Sequence, residues 1–373
     1  LTDLDPVLHV DLRSQAEEHL QELVLLITEG IKSGVYVGGD AVERFEARTA
    51  SLCGTRAAIA VNSGTDALIL ALRVAGVGPG DEVVTAPNSF IATAAAIAHV
   101  GARPVFADVL PDQNIDPEAV AQAITPRTRA LLPVHLTGRV CHMDRLMSLA
   151  AAHGLALIED AAQAVGSRLD GRPSGSFGHF GCFSAHPLKN LNAMGDAGFI
   201  TTNDTAAAER LRRLRNHGLR DRGTADEWGY VSRMDTLQAL VLSYRLEHLD
   251  NVIARRRANV ARYRARLAAA PEVFIPPCRP VEFNTFHTLV AQCERRDGLR
   301  DHLTRRGVRT AIHYPVPIHL QPAATYLGYG LGSFPVTETQ ARCILTLPVH
   351  QYLTPDDIDR VCDAILAFYR EPS

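Results

Sequence analysis

Ala57-Ala-Ile-Ala-Val-Asn-Ser-Gly-Thr-Asp-Ala-Leu68 decides the architecture. Residues 57–61 are small or apolar and have the length of a buried strand. Asn62-Ser-Gly64 cannot extend it, and Ser63-Gly-Thr65 opens a helix over 66–75. The same step from short apolar strand to helix recurs downstream. Strands are predicted at 82–86, 104–107, 130–134 and 155–159, with helices at 90–100, 117–124 and 143–153. Such alternation defines an α/β fold with a mainly parallel sheet. Ligands of these sheets bind beyond the carboxyl ends of the strands. Upstream, Leu20, Leu23, Leu26, Ile27 and Ile31 recur at helical spacing behind Ser14-Gln-Ala-Glu17, a predicted capping box. A second helix begins at Val42, after Gly34, Gly38 and Gly39. Beyond residue 205 the pattern shifts to long Arg- and Ala-rich helices at 205–217 and 234–269. After the Pro-rich stretch 271–280 come a strand at 285–292, a helix at 299–306, a strand at 310–313 and a last helix from Asp356. Two domains are expected: 1–250, large and carrying an N-terminal helical arm, and 251–373, smaller and α+β.

The 373 residues are 46% hydrophobic and 21% charged, which excludes collagen-like, disordered and coiled-coil classes. A formal net charge of −3 offers no global field to nucleic acid. The Arg-rich runs at 212–222 and 255–257 read as solvated helix faces. No apolar run approaches the roughly 18 residues of a membrane span. The acidic opening LTDLDPVLHVDLRSQ does not read as a secretory or transit peptide. The cysteines number 7 and include no C-x-x-C pair, so free thiols and a cytoplasmic location are expected. The 15 histidines include no H-E-x-x-H and no zinc-spaced cluster, so no metal site is expected, and His135 and His142 read as structural. Of the 38 basic residues, Lys32 and Lys189 alone are lysines. Lysine can shed its proton and act as a nucleophile, which arginine cannot.

Three segments at strand-to-helix junctions or in loops after strands carry groups suited to chemistry. Asn62–Leu68 offers free backbone N–H groups at a helix start, suited to phosphate or simply capped. Leu155-Ala-Leu-Ile-Glu-Asp-Ala-Ala-Gln163 ends a strand in carboxylates. These could bind a metal, act as a base, pair with a ligand cation or cap a helix. Phe183-Ser-Ala-His-Pro-Leu-Lys-Asn190 carries Lys189, with Ser184 upstream as a phosphate donor. Together these suit pyridoxal 5'-phosphate. That cofactor needs a phosphate site, a lysine for its aldehyde, a carboxylate for its pyridine nitrogen and a flat group against its ring. Gly64 and Thr65, Lys189, Asp160 and Phe90 fill those places in chain order.

From 34–45 onward the ordered motifs NSGTDAL, GDEVVTAP, PNSFIATA, IEDAAQAVGS, FSAHPLKN, SRMDTLQA, HYPVPIHLQPA and FPVTETQARCILTLPVH span nearly the whole chain. The sequence resembles the DegT/DnrJ family of pyridoxal-phosphate-dependent sugar aminotransferases. The resemblance implies the aspartate-aminotransferase fold, the type I fold of these transferases. It implies Lys189 as Schiff-base lysine and proton shuttle, Asp160 on the pyridine nitrogen and Gln163 on the ring hydroxyl. It places Phe90 on one ring face, Ala162 on the other, and Gly64, Thr65 and Ser184 at the phosphate. It also implies a homodimer with the active site at the interface, L-glutamate as donor, and pyridoxamine 5'-phosphate as the intermediate cofactor form.

Lys189 separates the chain from family dehydratases, which carry His there. The stretch from His313 is similar to members that aminate carbon 3 of nucleotide-linked keto-sugars, the expected acceptors in amino-sugar biosynthesis. His186, Arg220, Arg222, His313 and Tyr314 are candidate substrate contacts, the arginines as bidentate partners of a diphosphate. Three positions depart from the family pattern. Val231 replaces an Asn that the neighbouring subunit supplies to the phosphate, Ala185 a common Phe, and Ala197 a Gly. Two other readings accompany this one: an aminotransferase for a keto-cyclitol or keto-octulosonate, and a cofactor-binding regulatory or scaffold protein without turnover.

Overall fold

A computed structural model describes residues 5–370, so the first four residues of the acidic opening lie outside the described residues. Seven strands build the main sheet: β1 (Ala57–Val61), β2 (Glu82–Thr85), β3 (Arg103–Phe106), β4 (Thr128–Leu132), β5 (Ala156–Asp160), β6 (Phe180–Ser184) and β7 (Gly198–Thr202). Their order is β1-β7-β6-β5-β4-β2-β3. β7 runs antiparallel to both β1 and β6, and the other neighbours are parallel. Helices α1 (Leu12–Glu18), α2 (Leu20–Ser33) and α3 (Asp40–Cys53) precede the sheet. Helices α4 (Gly64–Val74), α5 (Ile91–His99), α6 (Pro117–Ala123) and α7 (Met143–His153) connect its strands, and α8 (Thr205–Leu214) and α9 (Thr236–Leu267) follow it.

Both faces of the sheet are covered, as parallel strands require. Side chains alternate between the faces. Leu132 and Ile158 pack with Leu68, Leu72 and Leu211, whereas Leu131 and Leu157 pack with Met143 and Leu146. Phe183 of β6 stacks on Phe199 of β7 at 4.4 Å and 8°, and Phe45 of α3 meets Phe199 edge-on. A separate apolar cluster gathers Leu289, Leu299, Leu345, Leu347, Ile358 and Ile365. α9 serves both bodies: Leu242, Leu249 and Ile253 join the sheet side, and Val260, Tyr263 and Leu267 join the second cluster.

The structure departs from the sequence reading in four places. Asp11, not Ser14, caps the first helix, accepting the Ser14 N–H at 3.0 Å, and the predicted single helix breaks at His19 into α1 and α2. β6 and β7 lie in a stretch that reads as motif and loop, yet they sit in the middle of the sheet. The strand predicted at 285–292 is confined to Leu289–Cys293. Phe286 takes φ +46° there, and Arg256 and Arg257 draw the carbonyls of Phe286, His287 and Asn284 toward α9. At 310–313 the chain makes a single bridge, Ala311 to Thr346, rather than a strand. No helix among the described residues is long and apolar enough to cross a membrane.

Candidate active site

The sheet brings the candidate residues to one edge. Gly64 and Thr65 follow β1, Phe90 follows β2, Asp160 ends β5, Ser184 ends β6, and Lys189 lies five residues beyond Ser184. β1, β2, β5 and β6 run in the same direction, so these ends share the carboxyl edge where ligands of such sheets bind.

Ser63 caps α4, its Oγ accepting the Asp66 N–H at 3.1 Å. Among the described residues the N–H groups of Gly64 and Thr65 have no acceptor. They form a donor pair at the positive end of the helix dipole. Ser184 lies directly against them: a Cβ on Gly64 would stand 2.6 Å from Ser184 Cβ. Gly198 allows the matching approach from β7, since a Cβ there would stand 2.5 Å from the Ser63 carbonyl. Ser184 Oγ accepts the His186 N–H at 3.3 Å, and His186 itself is exposed. Behind this cradle Ala185 donates its N–H to Ala197 O at 2.8 Å.

Asp160 is buried. Its Oδ2 accepts from Thr93 Oγ1 at 2.8 Å and its Oδ1 from the Ala162 N–H at 3.2 Å. Burial raises its pKa, opposed by those hydrogen bonds and by the charge of Lys189. Lys189 is fixed by its backbone N–H on His186 O at 2.8 Å. Burial pulls its amine down to about 8, against the pull of Asp160. No hydrogen bond or ion pair engages that amine among the described residues. An amine that is partly desolvated, unpartnered and within reach of a carboxylate's field is poised to act as a nucleophile.

Gln163 Oε1 accepts the Thr137 N–H at 2.8 Å, which turns its Nε2 toward the Tyr314 hydroxyl, 3.4 Å away. The Tyr314 ring lies 5.7 Å from Phe90, whose ring is 53% exposed and so has a free face. Tyr314 is pushed up to about 12 by burial, and His313 down to about 4 by burial and by Lys189. His313 Nδ1 pairs with Thr346 Oγ1 at 2.9 Å.

Among the described residues no hydrogen bond, ion pair or ring contact joins Arg220, Arg222 or Val231 to this cluster. Arg220 is exposed and pairs with Asp226 at 3.2 Å, and Arg222 is exposed on the same loop. Val231 is 59% exposed on the outer surface. Ser232 beside it is buried and donates to Asn62 Oδ1, and Arg233 donates to Asn216, so both side chains point into their own chain. Sequence reasoning missed Thr93, the Thr137 N–H, and His287, whose imidazole is held well below its usual pKa by burial and then by Lys189. The capping-like Ser89-Phe-Ile-Ala-Thr93 run was the available signal for Thr93.

The residues present fit pyridoxal 5'-phosphate. The paired free N–H groups with Ser184 suit its phosphate, the unpartnered amine suits its aldehyde, the buried carboxylate its ring nitrogen, and the free Phe90 face its ring.

This fold is that of an α/β aminotransferase. The chain belongs to the DegT/DnrJ/EryC1/StrS aminotransferase family, whose model matches residues 17–366. It is 45% identical over 357 residues to the dTDP-3-amino-3,4,6-trideoxy-alpha-D-glucose transaminase of Streptomyces venezuelae, covering 95% of this chain and 94% of that one. The crystal structure of S. venezuelae DesV in complex with a ketimine intermediate superposes with a TM-score of 0.97 at 44% identity, covering 99% of this chain and 100% of that one. NtdA of Bacillus subtilis, solved with bound cofactor PMP, gives a TM-score of 0.91 at 27% identity, covering 99% of this chain and 86% of that one.

Proposed function

We propose that this protein moves an amino group from L-glutamate to carbon 3 of a nucleotide-linked keto-deoxysugar, with pyridoxal 5'-phosphate as cofactor. The observation that carries the reading is that the Lys189 amine, unpartnered among the described residues, follows the strand next to the one that ends in the buried Asp160 carboxylate. When bound, the cofactor supplies an aldehyde and an electron-withdrawing ring. Asp160 would hold the proton on the ring nitrogen, and Gln163 would donate its Nε2–H to the ring hydroxyl oxygen. Phe90 and Ala162 would enclose the ring, and Gly64, Thr65 and Ser184 would hold the phosphate. With the cofactor bound, Lys189 Nζ, its basicity lowered by burial, would accept and return the proton at the donor's α-carbon. With the acceptor bound it makes the reverse transfer, and His186, His313 and Tyr314 line its approach.

Arg220 and Arg222, exposed on one loop, would serve as bidentate partners of a substrate diphosphate. We place the working site in a homodimer on the strength of the family to which the chain belongs. The free cysteines suit a reducing cytoplasm. The two apolar bodies joined by α9 act as two domains, 1–250 and 251–373.

The test is the visible spectrum of the purified protein with pyridoxal 5'-phosphate, followed by L-glutamate and then a panel of acceptors. The expected result is a visible band that glutamate bleaches and that a nucleotide-linked 3-keto-sugar restores. Restoration by a keto-cyclitol or keto-octulosonate instead would replace the acceptor. Absence of a band would overturn the cofactor assignment.

A further inference from the structure

Glu159 is a fully buried carboxylate whose four hydrogen bonds lead away from the proposed chemistry. It precedes Asp160 on β5, so its side chain lies on the opposite face of the strand. Oε1 accepts the N–H groups of Phe177 and Gly178, each at 2.7 Å. Oε2 accepts the Gly175 N–H at 2.7 Å and pairs with His135 Nε2 at 2.9 Å. Both side chains of the Glu159–His135 pair are 0% exposed. His135 Nδ1 accepts the Cys141 N–H at 3.2 Å, which leaves the proton on Nε2 and makes that atom the donor to Glu159.

The backbone carries this arrangement back to the site. His135 donates its own N–H to the Asp160 carbonyl at 3.0 Å, and Asp160 donates its N–H to Pro133 O at 2.9 Å. The short turn Leu136–Gly138 follows immediately, with Thr137 at φ +64°. A non-glycine residue there costs about 1 kcal/mol and must be held in place. The Thr137 N–H is the group that orients Gln163, through Oε1 at 2.8 Å. One residue, His135, therefore links the two: its imidazole holds Glu159 and the Cys141 N–H, and its backbone N–H holds the Asp160 carbonyl at the start of the turn that sets the Gln163 amide.

We propose that Glu159 and His135 are positioning residues for the cofactor site: their buried bracket sets the placement of Asp160 and the orientation of Gln163. The inference rests on the cofactor reading above. A purely structural role would hold the 175–178 loop without affecting how the cofactor is held.

Two His135 variants separate these roles. His135→Gln keeps a donor near the Nε2 position, whereas His135→Asn keeps an acceptor near Nδ1 and loses the donor to Glu159. Wild type and both variants are titrated with pyridoxal 5'-phosphate and with pyridoxamine 5'-phosphate, whose binding needs no bond to Lys189. Folding is checked by circular dichroism. Affinity for both forms is expected to fall about tenfold or more in His135→Asn, with a shifted visible band, and to recover in His135→Gln. Unchanged affinity and spectrum in folded His135→Asn overturns the inference, and so does an equal loss in both variants. Loss of binding by wild type overturns the cofactor reading itself. Where His135→Asn does not fold, hydrogen exchange of the wild-type protein decides. Cofactor is expected to slow exchange of the Gly175, Phe177 and Gly178 amides across the strand, because coupling is reciprocal. Identical exchange with and without cofactor overturns the bracket.

Discussion

Thr93 Oγ1 donates to Asp160 Oδ2 at 2.8 Å across 67 residues of sequence. Since Thr93 spends its proton on the carboxylate, its oxygen accepts from Ser89 Oγ, 2.8 Å away. The first turn of α5 and the residue just before its cap thus deliver a two-hydroxyl relay to the end of β5. The relay opposes the rise in pKa that burial imposes on Asp160 and keeps the carboxylate ready to pair with a cation.

Removing that donor should weaken the site without dismantling it. A hydrogen bond to a charged group contributes about 1.5–3 kcal/mol. Thr93→Val is expected to weaken cofactor binding by about tenfold or more, on the same principle. Asp160→Asn removes the charge itself and should cut turnover by about a hundredfold or more. Steady-state kinetics with cofactor titration checks both, and full activity in Asp160→Asn would move the role to another carboxylate.

Lys189 should reveal its environment through pH. Its amine is lowered from 10.5 to about 8 in the folded, cofactor-free protein. Between those values the unfolded chain binds the proton that the folded chain has released, so stability rises with pH across that window. The cost of burying the charged amine is fully present below pH 8 and is relieved as pH rises toward 10.5. Lys189→Met should therefore stabilise the cofactor-free protein at neutral pH and lose this advantage as pH rises through the window. The rate of cofactor attachment to wild type should climb through an apparent pKa near 8. Denaturant melts and stopped-flow absorbance across pH measure the two effects. A climb centred on the ordinary lysine value would mean that burial does not tune the amine.

The reach of the sequence reading follows from the range of each interaction. β1 and α7 were legible to the residue because small or apolar runs and local punctuation define them. Lys189, Asp160, Gly64 and Ser184 drew notice because their residue types suit one cofactor's chemistry near the ends of strands, whereas Gln163 entered only through the family resemblance. β6 and β7 were hidden because Phe183-Ser-Ala-His-Pro-Leu-Lys reads as motif, and their partners are set by pairing across the sheet. Thr93, the Thr137 N–H and the Glu159–His135 pair were hidden for a related reason. Their hydrogen bonds join positions 24 to 67 residues apart, beyond any local pattern.

Gly64 tests the phosphate cradle by volume alone. An alanine Cβ would stand 2.6 Å from Ser184 Cβ and 3.0 Å from its Cα, inside van der Waals contact with atoms that β6 holds in place. Such overpacking costs about 1–3 kcal/mol. Gly64→Ala should therefore lower the melting temperature and weaken binding of pyridoxamine 5'-phosphate, which makes no bond to Lys189. Ser184→Ala leaves the space unchanged and should weaken binding while leaving the melting temperature near wild type. If Gly64→Ala binds as wild type does, the phosphate sits elsewhere.

Trp228 is the chain's single tryptophan and is 90% exposed, yet its support is rigid. A Cβ on Gly218 would stand 1.8 Å from Glu227 O, and one on Gly229 2.1 Å from Gly218 N, so the two backbones are in contact. Arg210 grips Glu227 through two hydrogen bonds, at 2.8 and 2.9 Å. Val231 follows in the same segment, which continues to Asp235 and Thr236, and these pair with the exposed Val35–Val37 stretch. A bare indole on a tightly packed backbone, beside exposed valines, has the composition of an interface anchor. In a homodimer closed over this face, native emission should be blue of free tryptophan and should shift red on dilution to monomer. Trp228→Ala should shift sedimentation toward monomer. A dimer by sedimentation whose emission matches free tryptophan would move the interface to another face, with the exposed Leu20, Val24 and Leu25 of α2 as the next surface to probe.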